Sequence, residues 1–455
     1  MKKFSIFMFR GVILVPLFIF LITPGSAHGA GFALIEQSVS GLGNAFAGGA
    51  ANAEDATTIF YNPAGLTRLN DQQLVVGTHI IMPSAEFDNE DSTHLLQGVT
   101  GMPLLGGNGG DGGVTKAVPN AYYSKKLGDR FTFGIGINAP FGLATDYDKR
   151  WVGRYHAIES DVLTINLNPA IAYKITDNLS IGAGFSAQYI KAKLSNAIDF
   201  GTLDAIGQLG LPAGALGLTP QMADGFASLE GDSWGVGYNI GLLYEFNKDT
   251  RMGIAYRSRI KQTLKGDADF SDVPAGLNPY PVFKDDDIEA DIKLPDSFSV
   301  SFFHSFNPQW MVMADFTWTN WSLFEELRVK FDNPYQPDSV TTENWQDSYR
   351  YSLGLTYLPD SNWILRVGTA YDTSAVADEK HRTPRIPDED RIWTTVGVGY
   401  KFSKLVSFDL GYAHLFINDP EINKTPTGED AVRGGLKGTF DSHVNIVSVQ
   451  LNLTF

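Results

Sequence analysis

The chain has 455 residues, no cysteine and a formal net charge of −16. This acidic balance argues against nucleic acid as a partner, because nucleic-acid-binding surfaces are basic. The lack of cysteine excludes disulfides and thiol chemistry. Aromatic residues make up 12% of the chain and 47 residues are glycine. With the alternating segments described below, this leaves two classes, a soluble all-β protein or an outer-membrane β-barrel.

The first 29 residues have the pattern of a secretory signal peptide. Lys2, Lys3 and Arg10 give a basic start, and the apolar run 11–22 follows. That run is too short for a transmembrane helix, and no later segment is a continuous apolar stretch long enough for one. We expect residues 1–29 to be removed on export, which takes the net charge to −19 because three basic residues are lost.

Residues 30–70 are small, rich in glycine and alanine, and weakly amphipathic. The segment stands between the signal peptide and a long series of alternating strands, and Asn62-Pro63-Ala64 lies near its end. We interpret it as a small α-rich plug, folded inside a barrel formed by residues 71–455. Such a barrel would be an open pore without the plug.

Strand-like alternation dominates the rest of the chain. In 131–138 every second residue, from Phe131 to Ile137, is apolar, and the residues between them are Thr, Gly or Asn. A period of two places these two sets on opposite faces. A dry core would not hide the polar face, so we expect the apolar face to contact lipid and the polar face to line a lumen. Turn positions predict strands at 72–87, 115–127, 131–147, 158–176, 179–195, 230–246, 249–265, 288–305, 309–331, 345–359, 362–375, 388–402, 405–418 and 441–455.

The strand count and the links between strands indicate an outer-membrane barrel. An even number of strands is typical of that class, and in lipid the strands must close into a ring so that every backbone polar group is paired. Short turns such as 127–130 alternate with long links such as 196–229 and 421–440, as periplasmic turns alternate with extracellular loops. The predicted fold is therefore a 14-stranded antiparallel outer-membrane β-barrel with a small N-terminal plug in its lumen.

Several features of the strand ends suggest how the barrel meets its surroundings. The C-terminal Phe455 is expected to be recognised by the barrel-assembly machinery, and charged residues at 149–154 to form a rim near lipopolysaccharide. We expect a monomer. Aromatic residues near predicted strand ends suit the interfacial girdles of such barrels. They are Trp310, Trp318, Trp321, Trp363, Trp393, Tyr173, Tyr244 and Tyr400.

Two prolines interrupt predicted strands. Ala139-Pro140-Phe141-Gly142 lies within the third strand and Pro169 within the fourth. Proline removes a ladder hydrogen bond and a neighbouring glycine permits a bulge, so each motif predicts a break in the wall. The two breaks are expected to face each other on neighbouring strands. The alternative is a strand bend with no role in transport.

The links 196–229 and 266–287 are too apolar for bare solvated loops. Packed together, their side chains would form an extracellular groove in which hydrocarbon leaves water, at about 0.8 kcal/mol per buried CH₂. The alternative is that the two loops simply pack on each other. The candidate capture residues are Leu203, Leu209, Leu211, Phe226, Phe270, Leu277 and Phe283.

Five motifs together carry a family resemblance. They are Asn62-Pro63-Ala64, PFGLATDYD at 140–148, SWGVGYNIGLLYEFNKDTRMGIAYRS at 233–258, NPQWMVMADFTWTNWS at 307–322 and IPDEDRIWTTVGVGY at 386–400. With them the sequence resembles the outer-membrane long-chain fatty-acid transporters of the FadL family, which has an aromatic-hydrocarbon branch. The resemblance implies an N-terminal hatch, a lateral hole at a kink in the third strand, and a substrate groove between the two apolar loops.

The resemblance also implies an inner pocket, with Phe32 and Leu34 at its floor. Fatty-acid members of the family hold the carboxylate with two basic side chains, whereas the aligned positions here are Asn196 and Thr341. Lys193 is a candidate replacement; other candidates are Lys191, Arg328 and Arg350. The loss of the aligned cations also permits an uncharged substrate.

The sequence thus predicts passive transport of hydrophobic compounds across the outer membrane, with long-chain fatty acids as the main substrates. Capture would occur in the loops and release through the kink in strand three. Uptake of uncharged aromatic or alkane hydrocarbons is the alternative within transport. A surface barrel acting as adhesin or phage receptor is the alternative of another class, and the plug disfavours a water-filled porin. We expect no enzyme activity, metal or cofactor, since the histidines are scattered without metal-ligand spacing.

Overall fold

The computed structural model describes residues 31–69 and 72–455. The predicted signal peptide at residues 1–29 lies outside the described residues, as do residues 30, 70 and 71. The boundaries at 29/30 and 70/71 therefore stay predictions. Among the described residues, no helix combines the length and the hydropathy needed to cross a membrane.

Short helices supply the regular structure of the N-terminal segment, which we define as residues 31–69. The Ser38 hydroxyl accepts a hydrogen bond from the Gly41 N–H at the start of the first helix, and Asn62 caps the last helix through the Ala64 N–H. All four helices have six residues or fewer, so packing rather than intrinsic propensity holds them. They are α1 (Val39–Leu42), α2 (Gly49–Asn52), α3 (Thr58–Tyr61) and a 3₁₀ helix (Pro63–Arg68).

The remaining chain forms a wall of fourteen antiparallel strands. Eight of them are continuous: β1 (Gln72–Asn89), β2 (Lys116–Lys126), β5 (Glu159–Lys174), β6 (Leu179–Asp199), β7 (Asp224–Asn247), β16 (Trp363–Asp372), β17 (Arg391–Lys401) and β20 (Leu436–Thr454).

The other six wall strands consist of two segments each. They are β3 (Phe131–Asn138) with β4 (Gly142–Asp146), β8 (Thr250–Arg257) with β9 (Ile260–Ser271), β10 (Asp286–Leu294) with β11 (Ser297–Asn307), β12 (Trp310–Thr319) with β13 (Glu326–Phe331), β14 (Ser339–Thr342) with β15 (Ser348–Tyr357), and β18 (Val406–Ile417) with β19 (Glu421–Lys424). The links contain α4 (Gln97–Thr100), α5 (Phe200–Ala205) and 3₁₀ helices at Ala275–Leu277, Trp321–Leu323 and Gly428–Asp430.

Hydrogen bonding closes the wall into a ring. β1 pairs with β20 from Gln73 opposite Thr454 to Asn89 opposite Gly438. On its other side β20 pairs with β18, and the strands between are joined by antiparallel pairings. The predicted 14-stranded antiparallel barrel is confirmed.

The hairpin of β6 and β7 is longer than predicted. Pairing continues to Asp199 opposite Asp224, whereas the sequence predicts a loop over 196–229. Ala197 in the extension is buried in a cluster with Tyr155 and Ile158 of another loop. This tertiary packing stabilises the longer pairing. The local sequence pattern contains no sign of it, so the predicted strands are too short.

Exposure along the strands follows the period of two. On β7, Trp234, Val236 and Tyr238 are 67%, 65% and 51% exposed on the outside of the ring. Asn239 points inward, is buried, and donates to the Ile59 carbonyl of the N-terminal segment (3.1 Å). Large apolar side chains on the outside of a closed ring fit lipid as their neighbour.

The N-terminal segment lies inside the ring, near the end with the short turns. Its 3₁₀ helix packs on β5, β6 and β7, whereas α1 packs on β17 and β18. The Asn62 side-chain amide donates to the carbonyls of Ala50 (2.7 Å) and Leu242 (3.0 Å), which joins the segment to the wall. Glycine permits this close approach: a Cβ at Gly253 would lie 1.8 Å from the Ala50 oxygen.

Candidate functional site

A cavity of about 590 Å³ lies between the N-terminal segment and the wall, and we call it the large cavity. Residues 31–36 line one side, and residues 116–119, 139–145 and 161–163 line the other. The lining is mainly apolar. Its charged members include Glu36, Asp315, Asp372, Asp388, Arg257, Arg350 and Arg391.

The third wall strand is interrupted beside the large cavity. β3 ends at Asn138 and β4 begins at Gly142. β2 pairs with β3 only over residues 121–126, and within the described chain it forms no ladder with β4. Residues 116–120 of β2 therefore pair with β1 alone, which leaves a break in the wall. Four residues line the cavity at this break: Ala139, Pro140, Phe141 and Gly142.

Residues 32–34 bond into this break like a short extra strand. The Leu34 N–H donates to the Pro140 carbonyl (2.9 Å), and the Gly142 N–H donates to the Phe32 carbonyl (3.0 Å). The N-terminal segment thus satisfies backbone groups that a continuous wall strand would otherwise pair.

The Phe32 ring anchors the same residues in an aromatic cluster. Its centroid lies 4.8 Å from that of Trp321 and 5.9 Å from that of Trp345. The Phe141 ring at the break is also 5.9 Å away, and Ala33 forms a β-bridge with Phe141. Displacement of Phe32 would therefore disturb the aromatic cluster and the break together.

Two of the tryptophans assigned to the girdles point inward, so that prediction is wrong for them. Trp321 and Trp393 are each 1% exposed. Trp321 lies in an inward-folded 3₁₀ turn between β12 and β13, and Trp393 packs edge-on against Phe46 of the N-terminal segment. Position near a strand end does not reveal an inward turn or the face of a strand.

Pro169 lies apart from the break. It is opposite Ile135 in β3, whereas the Phe141 N–H at the break donates to Thr164 of β5 (3.0 Å). The pairing of β5 with β6 is interrupted at Pro169, as expected of a residue without an N–H. Pro169 lines neither cavity described here. The predicted alignment of the two prolines is wrong because neighbouring barrel strands are staggered.

A second cavity of about 90 Å³, which we call the apolar cavity, adjoins the large one. Four residues line both: Phe32, Leu143, Val162 and Ile386. The charged residues in its lining are Glu343 and Arg385. Most other lining side chains are aliphatic and come from the parts of the wall strands nearer the long links. They include Ile190, Leu194, Leu229, Leu264, Ile288 and Val329.

The two apolar loops pack on each other above this cavity. Leu203, Leu209 and Leu277 are buried in one cluster, at 8%, 3% and 1% exposure. Leu211 and Phe283 pack against that cluster. The structure therefore brings five of the seven candidate capture residues together.

The other two candidate capture residues belong to neighbouring clusters. Phe270 packs with Leu229 and Ile288, which also line the apolar cavity. Phe226 packs on a separate cluster around Tyr155. Phe270 thus connects the loops with the apolar cavity, whereas Phe226 lies to one side.

Asn196 and Lys193 lie outside both cavities. Asn196 is opposite Ala227 in the long hairpin, and its amide donates to the Ala197 carbonyl (3.0 Å). The Lys193 ammonium forms an ion pair with Glu159 at 2.7 Å, with 37% of its side chain exposed. Neither side chain reaches the lining of the two cavities.

The charged groups of the large cavity are mostly paired. Arg350 lies 3.3 Å from Asp372 and Arg391 lies 2.6 Å from Asp388. Glu36 of the N-terminal segment forms no ion pair among the described residues. Burial raises the pKa of Glu36 to about 7, and the charges of Arg391 and Arg350 act in the opposite direction.

Sequence reasoning missed Glu36, Trp345, Glu343 and Arg385. Arg385 stands directly before the IPDEDRIW stretch, which was its only signal. Glu36 and Glu343 became recognisable only through burial and through the cavity that each one lines. Trp345 became recognisable only through its burial in the aromatic cluster around Phe32. In the part of the chain that the structure describes, no group of three or more His, Asp or Glu side chains is placed to hold a metal ion.

A closed ring of antiparallel strands with an apolar exterior is the architecture of an outer-membrane barrel. Residues 20–455 match the family model described as Outer membrane protein transport protein (OMPP1/FadL/TodX), and the chain belongs to this family. The family consists of transport channels and not enzymes, so the chain is a transport protein and the expectation of no enzyme activity is confirmed. The outer-membrane location is confirmed as well.

Individual relatives cover most of the chain. A "Long-chain fatty acid transport protein" of Escherichia coli O6:H1 is 34% identical over 402 residues, which is 86% of this chain and 87% of the relative. "Outer membrane protein P1" of Haemophilus influenzae is 30% identical over 457 residues, covering 96% and 97% of the two chains.

Solved structures share the fold. A Pseudomonas aeruginosa FadL homologue has a TM-score of 0.83 at 24% identity, covering 94% of this chain and 100% of that structure. The Pseudomonas putida toluene transporter TodX has a TM-score of 0.67 at 19% identity, covering 94% and 99%. At these identities the likeness establishes the architecture alone.

Proposed function

We propose that this protein takes up hydrophobic compounds passively, with long-chain fatty acids as its main substrates. The observation that carries the proposal is that Phe32 lines both cavities while residues 32–34 bond into the break beside Pro140. A substrate entering from the apolar cavity would meet Phe32 and displace it. The name of the Escherichia coli relative supports fatty acids as the substrate class.

The proposed route begins in the loop cluster around Leu203 and Leu277, where hydrocarbon leaves water. It continues through the apolar cavity, at about 0.8 kcal/mol for each CH₂ buried. The N-terminal segment acts as the plug and blocks a straight path to the periplasm. Release occurs sideways between β2 and β4, after Phe32 and Leu34 leave the break, with Ala139–Gly142 as its margin.

Closing the break tests this route. Replacing Pro140 and Gly142 with valine restores an N–H and favours extended backbone, so β2 is expected to pair with a continuous third strand. Uptake of labelled oleate by cells should fall at least about tenfold. Pro169→Val is the matched control, since Pro169 lines neither cavity, and should keep normal uptake. Unchanged uptake in the double variant would rule out this exit.

Uptake of uncharged aromatic or alkane hydrocarbons is the second candidate. Asn196 and Thr341 carry no positive charge, and Lys193 is already paired outside the cavities. Equal affinity for palmitate and for hexadecanol, which has the same chain length, would favour this candidate. Failure to bind either compound saturably would favour the non-transporting barrel, an adhesin or phage receptor.

We propose three further partners or states for the exported chain. The outer face contacts lipid, the exposed Lys149 and Arg150 lie near lipopolysaccharide, and the protein is a monomer. Arg154, which the sequence placed in the same rim, is buried and paired with Asp224 at 2.8 Å, so that part of the prediction is wrong. Phe455, whose side chain is 64% exposed at the end of β20, serves as the recognition residue for the barrel-assembly machinery.

A further inference from the structure

The apolar cavity contains a guanidinium that lacks a carboxylate partner. Arg385 Nη1 donates to the Glu159 carbonyl (3.2 Å) and to the Ser160 hydroxyl (3.1 Å), and both acceptors are neutral. Arg385 takes part in none of the ion pairs within residues 31–69 and 72–455. A guanidinium has five N–H donors, so two bonds from one nitrogen leave most of its capacity unused.

The surrounding loop makes this arrangement unusual, because its other arginines are paired. Arg382 pairs with Glu389, and Arg391 pairs with Asp388 at 2.6 Å. Burial of an unpaired charge costs free energy, which a partner normally offsets. Arg385 is partly buried, lines the apolar cavity and has no carboxylate partner among the described residues, so its guanidinium is placed to pair with an anion brought by a ligand.

The charge on Arg385 persists at neutral pH. Burial lowers its pKa to about 10, with the charge of Arg433 acting in the same direction and that of Glu343 in the opposite one. Glu343 lines the same cavity, but its carboxyl accepts a hydrogen bond from the Trp345 indole N–H (2.9 Å) and does not pair with Arg385. An anionic ligand would find the guanidinium free.

We propose that Arg385 binds the carboxylate of a single-chain amphiphile whose hydrocarbon tail fills the apolar cavity. The inference rests on the proposed function and narrows its substrate to a monoanion. The aliphatic lining suits the tail, and a planar guanidinium suits a carboxylate through paired N–H···O bonds. Glu343 in the same lining disfavours head groups with a second negative charge.

The test compares palmitate with hexadecanol, using the purified full-length barrel at one fixed detergent concentration. The wild-type protein should prefer palmitate by about tenfold or more, the usual scale of a hydrogen bond to a charged group. Arg385→Gln should lower affinity for palmitate to that for hexadecanol and leave hexadecanol binding unchanged. Arg385→Lys should keep part of the preference for palmitate, because lysine keeps the positive charge but cannot donate two parallel hydrogen bonds to the carboxylate.

Arg130→Gln is the matched control, since Arg130 is exposed at a short turn and lies outside both cavities. It should behave like the wild type. A heat-dependent shift in electrophoretic mobility reports whether each variant is a folded barrel. The inference is overturned if Arg385→Gln, folded, keeps the palmitate preference, or if the wild type shows none. If the inference fails but hexadecanol still binds saturably, the proposed transport function remains supported. If the wild type binds neither compound, the proposed transport function is contradicted as well.

Discussion

At the scale of single residues, the inner wall is shaped by positions that carry no side chain. Gly253 on β8 faces the backbone of α2, and a Cβ there would lie 1.8 Å from the Ala50 oxygen. Gly182 faces Ala64 in the same way, with its Cβ position 2.3 Å from the Ala64 nitrogen. The close fit of the N-terminal segment to the wall therefore depends on glycine at defined places.

Gly253→Ala is expected to push α2 away from the wall, because backbone atoms cannot yield as a flexible side chain can. The displaced segment should let ions pass, so single-channel conductance in planar bilayers should rise several-fold. Gly98→Ala is the matched control, since nothing lies within 4 Å of its Cβ position. Equal conductance of the two variants would show that the fit at Gly253 does not seal the lumen.

At the scale of elements, alternation predicted the strands but not their interruptions. The period of two in 131–138 fixed which side chains face lipid, and proline marked the break after Asn138. Pro295 likewise marks the break after Leu294. The break after Arg257 and the inward turn at Trp321 carry no proline, and the packing of nearby side chains inside the barrel determines them. Long-range packing likewise decides which loop residues reach the apolar cavity.

The N-terminal segment is the element whose docking should depend on pH. Burial raises the pKa of Glu36 from 4.5 to about 7, and release into water would return it to the lower value. Between these two values the docked state holds more protons, so docking weakens as pH rises, by at most about tenfold per pH unit. Amide exchange at residues 32–37, corrected for intrinsic rates, should therefore speed up between pH 5 and 7.

Glu36→Gln should remove this pH dependence, because the amide does not titrate. Glu90→Gln, in an exposed loop, should retain it. If exchange at residues 32–37 followed pH equally in the wild type and in Glu36→Gln, another group would control docking.

At the scale of the whole molecule, the ring, the N-terminal segment and the two cavities form one connected arrangement. Closure of β1 on β20 fixes the wall, so a substrate leaves only where the wall is broken or where the segment moves. Phe32 belongs to the N-terminal segment and also lies at the break in the wall. It lines both cavities, and its carbonyl accepts the hydrogen bond from Gly142 beside Pro140. The sequence could predict the strands, the N-terminal segment and the proline break, because each has a local pattern. It could not predict that residues 32–34 bond to the break, because that contact depends on the folded arrangement.

The bridge between Ala33 and Phe141 offers a direct test of that junction. It is flanked by the bonds from Leu34 to Pro140 and from Gly142 to Phe32, which makes it a non-hydrogen-bonded antiparallel pair. The Cα atoms of such pairs lie about 4.5 Å apart, within the range of a disulfide. The chain has no cysteine, so a designed pair would have no competing thiol.

The decisive measurement is labelled-oleate uptake by cells carrying Ala33→Cys with Phe141→Cys, before and after reduction. Each single cysteine variant serves as the control for lost packing. The oxidised double variant should bind oleate yet take it up at least about tenfold more slowly, and reduction should restore the rate of the single variants. Equal uptake by the oxidised and reduced forms would contradict release through the break.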